Sequence, residues 1–143
     1  MNNFIESAEK FLLSSIQNGE LANSYDVIKN KYVKPYPEVT GYLLSYFSEN
    51  YDIIPTQILS AANYLCKIQD ETGGYMSFND KNILYTFDTC QISHGLASLY
   101  KKTGEEKYLK FSISAAKFAL EMINDDGSTF PIFDKNKNVR AVQ

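Results

Sequence analysis

Residues 61–75 read AANYLCKIQDETGGY, a helical segment that ends in a glycine turn. Apolar residues recur at the spacing of one helix face, and two adjacent glycines then let the backbone leave the helix. The pattern returns without gaps 54 residues further on, and a shortened copy lies at residues 8–19. A repeat of this length indicates units that bury their apolar faces only by stacking on neighbours. The aligned pairs are Gly41 with Gly95, Tyr46 with Tyr100, Ala61 with Ala115, Ala62 with Ala116, Tyr64 with Phe118, Gly73 with Gly127 and Asp80 with Asp134.

On both sides of this segment the apolar residues keep helical spacing, which predicts an all-α fold with about five helices. Proline at a first helical position favours starts at Pro37 and Pro55, and Asp88 with Gln91 has the spacing of a capping box. Segments 20–34 and 75–84 are expected to be loops, the second with room for a short extended piece. A helical-hairpin domain is predicted over 1–131, with a polar tail, loop or partly disordered, over 132–143. The expected helices span 3–17, 37–50, 55–72, 88–103 and 105–124.

Composition favours one globular domain and excludes several classes of function. The chain has 143 residues, 44% of them hydrophobic, and a net charge of -3. Lysines and arginines are scattered, so no nucleic-acid partner is expected. No apolar run approaches the roughly 18 residues that cross a bilayer, and residues 1–10 lack a signal-peptide pattern, so no membrane partner and a cytoplasmic location are predicted. Cys66 and Cys90 lack metal-ligand spacing and are expected to be buried free thiols.

The pattern AxxYLxxxQxxxGxY over residues 61–75 resembles the repeat of squalene and terpene cyclases and of protein prenyltransferases, with tyrosine in the usual tryptophan position. A looser form of this repeat is shared by the α/α toroids, which include six-hairpin glycosidases, uronate lyases and sugar epimerases. Two segments, YPEVTGY at 36–42 and FDTCQ at 87–91, are similar to inner-helix openings in toroid proteins found alongside bacterial polysaccharide metabolism. The resemblance implies antiparallel helical hairpins stacked as a partial α/α toroid.

The chain also departs from the isoprenoid enzymes that share this repeat. It has no Asp-rich acid motif, and its one histidine and two separated cysteines cannot form the zinc site of the prenyltransferases. Isoprenoid chemistry is therefore not expected, and neither a metal site nor a cofactor is predicted. Because a full ring at this period would need about 300 residues, five helices would form an arc.

Glu38 and Asp88 are the candidate catalytic pair. Two carboxylates, one protonated and one ionised, are the minimum for glycoside hydrolysis. In the toroid folds the starts of the inner helices lie at one mouth of the ring, and both residues occupy such starts. The structural alternative for Asp88 is a helix N-cap, and for Glu38 a first-turn acid that complements the helix dipole.

Further site candidates surround this pair in the sequence. His94 could act as the base in epimerisation or β-elimination, or could simply be a packed or partly exposed helix residue. The tyrosines near the predicted mouth could stack on sugar faces and donate hydrogen bonds, or could pack at the rim and in the core. The substrate-binding candidates are Tyr36, Tyr42, Tyr75, Tyr85 and Gln91.

Two functional hypotheses follow from the sequence. The first is a carbohydrate-handling protein of bacterial polysaccharide metabolism that binds an oligosaccharide or polysaccharide, and, if it is an enzyme, a sugar-directed hydrolase, lyase or epimerase. The second is a noncatalytic helical-repeat module that associates with itself or completes a ring with a partner. An arc with open apolar faces predicts a homodimer or a higher oligomer.

Overall fold

The computed structural model describes residues 2–76 and 80–141. Five helices within these ranges follow the predicted periodicity closely, and α2 begins at Pro37 as expected. Helices α1 and α5 end three residues earlier than predicted and α3 four residues earlier, and α4 begins two residues before Asp88. The helices are α1 (Asn2–Ser14), α2 (Pro37–Asn50), α3 (Thr56–Ile68), α4 (Thr86–Thr103) and α5 (Glu106–Glu121).

The prediction of an all-α fold is wrong, because the described residues also form seven short strands in three antiparallel sheets. The fold is mixed α and β. Strands β1 and β2 pair with each other, as do β3 and β4, while β5, β6 and β7 form one sheet in that order. The strands are β1 (Ile16–Gln17), β2 (Glu20–Leu21), β3 (Tyr25–Asp26), β4 (Lys31–Tyr32), β5 (Ile83–Tyr85), β6 (Ile132–Asp134) and β7 (Val139–Ala141).

Local turn chemistry explains the hairpins. Asn18 and Gly19, with φ of 53° and 85°, form the two-residue turn between β1 and β2. Asn-Gly with positive φ at both positions is the strongest short hairpin signal, although the sequence analysis placed these residues after a helix end. In the four-residue turns of β3–β4 and β6–β7 an aspartate stabilises the turn. Asp26 and Asp134 each accept two hydrogen bonds from backbone N–H groups within their turn.

The tail was expected to be loop or partly disordered, yet it supplies β6 and β7 and is held to the helices. The backbone N–H of Thr86 donates to Pro131 O at 3.0 Å, so the residue just before the tail contacts the start of α4. Lys135 forms an ion pair with Asp70 in the turn after α3. Phe133 packs against a small apolar cluster built on Leu84, Phe118 and Met122. These contacts are distant in sequence, so the tail's own composition does not reveal them.

Helices α2 and α4 run parallel and in close contact. Ser45 Oγ lies 2.9 Å from His94 Nδ1, and Asp52 Oδ1 lies 3.7 Å from Lys102 Nζ, so residues about 50 apart stand side by side along both helices. The contact is close because a Cβ atom on Gly95 would collide with the Gly41 carbonyl oxygen. This glycine pair, 54 residues apart, explains one element of the sequence repeat.

One larger core joins all five helices and β2. Its fully buried members include Phe47, Leu65, Leu96 and Tyr108. Cys66, on α3, is partly buried against this core and Cys90 is exposed, so the prediction that both thiols are buried is wrong. Over the described ranges, none of the helices combines the length and the apolar character needed to cross a membrane.

Candidate functional site

The candidate site lies where α2 and α4 begin. Pro37 starts α2, so Glu38 is in its first turn, and Asp88 is in the first turn of α4. Because the two helices are parallel and packed at their glycines, their N-terminal ends come together. The two carboxylates, 50 positions apart in the chain, therefore interact electrostatically. The partial positive charge of each helix N-terminus also favours an acid there.

Asp88 has an unusual environment for a carboxylate. Its side chain is buried, with 5% of the residue surface exposed. Burial first, and then the negative charge of Glu38, raise its pKa from a usual value of 3.8 to about 6, while a hydrogen bond from Tyr36 partly opposes the shift. Asp88 therefore holds its proton into the weakly acidic range, where most aspartates have lost theirs.

Two tyrosines complete the cluster. The Tyr36 hydroxyl interacts with both Glu38 and Asp88, and burial together with these two acids raises the pKa of Tyr36 well above its ordinary value. Tyr42, which is 46% exposed, hydrogen-bonds to Glu38, and desolvation followed by that carboxylate raises the pKa of Tyr42. Both phenols therefore stay protonated at neutral pH and can donate hydrogen bonds.

The capping alternative for Asp88 does not describe this structure. Helix α4 begins at Thr86, and no side chain caps its first turn at Tyr85. The Thr86 hydroxyl instead donates to Phe130 O at 2.6 Å, which connects the helix start to the segment that precedes β6. Asp88 is thus a buried first-turn acid that faces another acid, and its carboxylate accepts a hydrogen bond from its own backbone N–H.

The other predicted binding residues are distributed differently. Tyr75 is fully buried in the main core, so its ring is not open at the site. The paired glycines before it explain this placement, because Gly74 packs directly on Leu84 and Phe118 and the chain turns inward. Tyr85 ends β5 and is half-buried, with its backbone N–H donating to Tyr75 O. Gln91 is half-buried and its backbone carbonyl packs on Gly41.

His94 does not join the carboxylate pair. It lies six residues after Asp88 on α4, about 9 Å further along the helix axis. Its ring is exposed, and Nδ1 is 2.9 Å from Ser45 Oγ. It lines a polar cavity between the C-terminal halves of α2 and α4, which the sequence analysis did not identify. The pair Gly41 and Gly95 could have indicated this cavity. Two helices that contact each other at one point separate on either side of it.

The structure also contains two apolar grooves whose positions were not predicted from the sequence. The N-terminal groove, between α1 and α2, has a volume of about 370 Å³, and the C-terminal groove, between α4 and α5, about 450 Å³. The N-terminal groove is lined by Phe4, Ile5, Ala8, Glu9, Leu12, Tyr42, Leu43 and Tyr46. The C-terminal groove is lined by Thr86, Cys90, Ser93, His94, Ala97, Ala116, Ala119, Leu120, Ile123 and Thr129.

The cluster at the helix starts combines a proton donor, a second carboxylate and two phenols, and this set is suited to acid–base chemistry on a hydroxyl-rich ligand. Comparison with known proteins adds no family assignment: no protein-family model, no curated protein and no solved structure matches this chain.

Proposed function

We propose that this chain is a carbohydrate-handling protein that binds an oligosaccharide at the joined starts of α2 and α4. In this proposal Asp88 is the general acid and Glu38 the general base of a sugar-directed hydrolase, lyase or epimerase. The resemblance of the repeat to the α/α toroids supports an association with bacterial polysaccharide metabolism. The cytoplasmic location predicted from the sequence stays part of the proposal.

The observation that carries the proposal is the unequal environment of the two carboxylates. Asp88 is buried and its pKa is raised to about 6, with Glu38 as one of the causes. Acid–base enzymes use such pairs, in which one carboxyl keeps its proton and its neighbour stays ionised. A group with a pKa near 6 is protonated often enough at neutral pH to donate to a leaving oxygen, and it regains its proton readily.

The tyrosines fit the same role. Tyr42 is almost half exposed and hydrogen-bonds to Glu38, so it can present its ring edge or face to a ligand at the carboxylates. Phenols combine an apolar ring with a hydroxyl, and both features match a sugar, which has apolar C–H faces and polar edges. Tyr36, less exposed, instead orients the acids through hydrogen bonds.

The test measures turnover of polygalacturonate oligosaccharides and of neutral cello-oligosaccharides by three product readouts: new reducing ends, unsaturated uronates and epimerised sugars. We expect Asp88→Asn and Glu38→Gln each to lower turnover at least about 100-fold while the helical circular dichroism is retained. Glu106→Gln removes a first-turn acid of α5, away from the site, and is the matched control. Absence of turnover and of binding for every glycan, or unchanged rates in both site variants, would contradict the proposal.

A second candidate function, a noncatalytic assembly module, is favoured by a different observation. The two apolar grooves lie at opposite ends of the helix order and expose large side chains, with Phe4 at 81% and Leu120 at 66%. Ile5, which is 52% exposed, is the repeat equivalent of Ile58, which is fully buried on α3. A face that is buried in one repeat and open in another is typical of repeat proteins that stack on further units.

Light scattering at micromolar concentration tests this second candidate. We expect a homodimer or larger species, which Leu120→Glu should reduce to monomers because a buried, unpaired charge opposes association. Ile28→Glu is the matched control, since Ile28 is 92% exposed in the β3–β4 turn and lines neither groove. A monomeric wild-type protein would count against the assembly function and would leave the carbohydrate proposal standing.

A further inference from the structure

The polar cavity between α2 and α4, here called the lysine cleft, is a separate candidate site. It has a volume of about 340 Å³, and every residue that lines it is polar or charged. It lies beyond the glycine contact, toward the C-terminal ends of both helices, where their backbones are free to separate. The lining residues are Ser48, Glu49, His94, Ser98, Lys101 and Lys102.

Ser48 is the most informative member of this lining. Its residue is 7% exposed, and its hydroxyl is buried without a hydrogen-bond partner among the described residues. A buried hydroxyl that makes no hydrogen bond is unfavourable, so native structures contain few of them. Its Oγ atom is closed to solvent in the rotamer described, so a ligand oxygen in the cleft would satisfy it after the side chain rotates about χ1.

The charges of the cleft favour an anion. Two lysines and one glutamate give the lining a net positive charge. Lys102 lies 3.7 Å from Asp52, whereas Lys101 has no ion pair within the described part of the chain. The Ser45 contact occupies Nδ1 of His94 and leaves its Nε2 atom as a further possible donor.

We propose that the lysine cleft binds a small oxyanion, either a carboxylate or a phosphate group, through Lys101, His94 and the Ser48 hydroxyl. Lysine is a point charge that suits both kinds of anion, and a serine hydroxyl adds a directed hydrogen bond. Along α4, Ser98 is about 15 Å from Asp88, so this site does not depend on the proposed acid–base function.

Nuclear magnetic resonance of His94 provides a direct readout, because His94 is the sole histidine of the chain and its imidazole signals need no further assignment. The full chain is titrated at fixed pH and ionic strength with sodium phosphate, with galacturonate and with neutral galactose. We expect saturable shifts of the His94 signals with phosphate, with galacturonate or with both, and none with galactose. A response to phosphate alone, or to galacturonate alone, identifies which oxyanion the cleft accepts.

Two variants separate binding from structure. Lys101→Gln and Ser48→Ala should each weaken the anion's apparent affinity about tenfold. Ser48→Ala should also raise the melting temperature, because it removes a buried hydroxyl that has no partner; a purely structural serine would lower it. Lys117→Gln, an exposed lysine of α5 outside the lining, is the control and should bind as the wild type does. Equal shifts with galactose, no saturable shift, or unchanged affinity in both variants would overturn the proposal.

Discussion

Helices α3 and α5 occupy equivalent positions in the repeat but differ in their surroundings. Ala62 on α3 is fully buried, while Ala116, 54 residues later on α5, is exposed. The turns that follow the two helices differ in the same way: Gly73 packs tightly on Ser114, whereas Gly127 has open space beside it. Both glycines have positive φ, 93° and 82°. Repeated sequence therefore fixes the local backbone, and the presence of a neighbouring unit decides burial.

Charge insertion should give the largest contrast between the two helices. Ala62→Asp places a carboxylate in the main core and should lower the free energy of unfolding by about 4 kcal/mol, because a buried charge without a partner is strongly unfavourable. Ala116→Asp should lower it by only about 0.7 kcal/mol, which is the difference in helix propensity between the two residues. Urea denaturation of the two variants measures the difference. Equal losses would show that α5 is as enclosed as α3.

The glycine turns after α3 and α5 allow the same comparison at single residues, Gly73 and Gly127. In Gly73→Ala the new Cβ atom must both adopt a positive φ and displace the backbone of Ser114, so we expect a loss of about 3 kcal/mol. Gly127→Ala carries only the conformational part, about 1 kcal/mol. Thermal unfolding distinguishes these values, and similar losses at both positions would refute the role given to Ser114.

Helices α2 and α4, in contrast, contact each other, and the acids at their starts should make stability depend on pH. Because folding raises the pKa of Asp88 from 3.8 to about 6, the folded state holds more proton at this one carboxyl than the unfolded chain does between these values. The contribution of Asp88 to the free energy of unfolding should fall by about 2 kcal/mol as the pH rises through this window, and the difference between the wild type and Asp88→Asn isolates that contribution. Urea denaturation of both proteins between about pH 4 and about pH 7 checks it. The same pH dependence of stability in the wild type and in Asp88→Asn would contradict the raised pKa of Asp88.

The smallest expected effect concerns the link between α3 and α5. Gln69 Nε2 donates to Phe111 O at 3.0 Å, while the repeat equivalent of Gln69 is Ile123, which cannot make this bond. Gln69→Ala should cost about 1 kcal/mol. Gln57→Ala, at an exposed position of α3, serves as the control and should cost less than about 0.5 kcal/mol. Chemical denaturation measures the loss of unfolding free energy in both variants. Equal losses would show that the hydrogen bond from Gln69 to Phe111 does not stabilise the protein.

The sequence predicted helices well and strands poorly, for physical reasons. Each helix has a continuous apolar face, and this periodic signal is local. The strands are two or three residues long, too short to show alternation. Strands β6 and β7 exist because they pair beside β5, about 50 residues earlier in the chain, and no local pattern reports such pairing. The β1–β2 hairpin was detectable, since Asn18-Gly19 is a recognised turn signal.

The candidate site was partly predictable from the sequence. Tyr36, Glu38, Tyr42 and Asp88 were predicted near one mouth because each lies at the start of an inner helix, and the structure brings the four together. Tyr75 was misplaced, because the direction of a chain after a glycine turn depends on tertiary packing. The role proposed for Ser48 in the lysine cleft could not be predicted from the sequence, because Ser48 is buried only through the contact of two helices.

The carboxylate pair is the claim on which the proposed function depends, and the pKa of Asp88 tests it most directly. Carbon-detected nuclear magnetic resonance can follow the side-chain carboxyl of Asp88 through a pH titration of the wild type and of Glu38→Gln. The account predicts a pKa of about 6 in the wild type and a lower value in Glu38→Gln, because the neighbouring negative charge is removed. An Asp88 pKa near 4 that does not respond to Glu38→Gln would contradict the account.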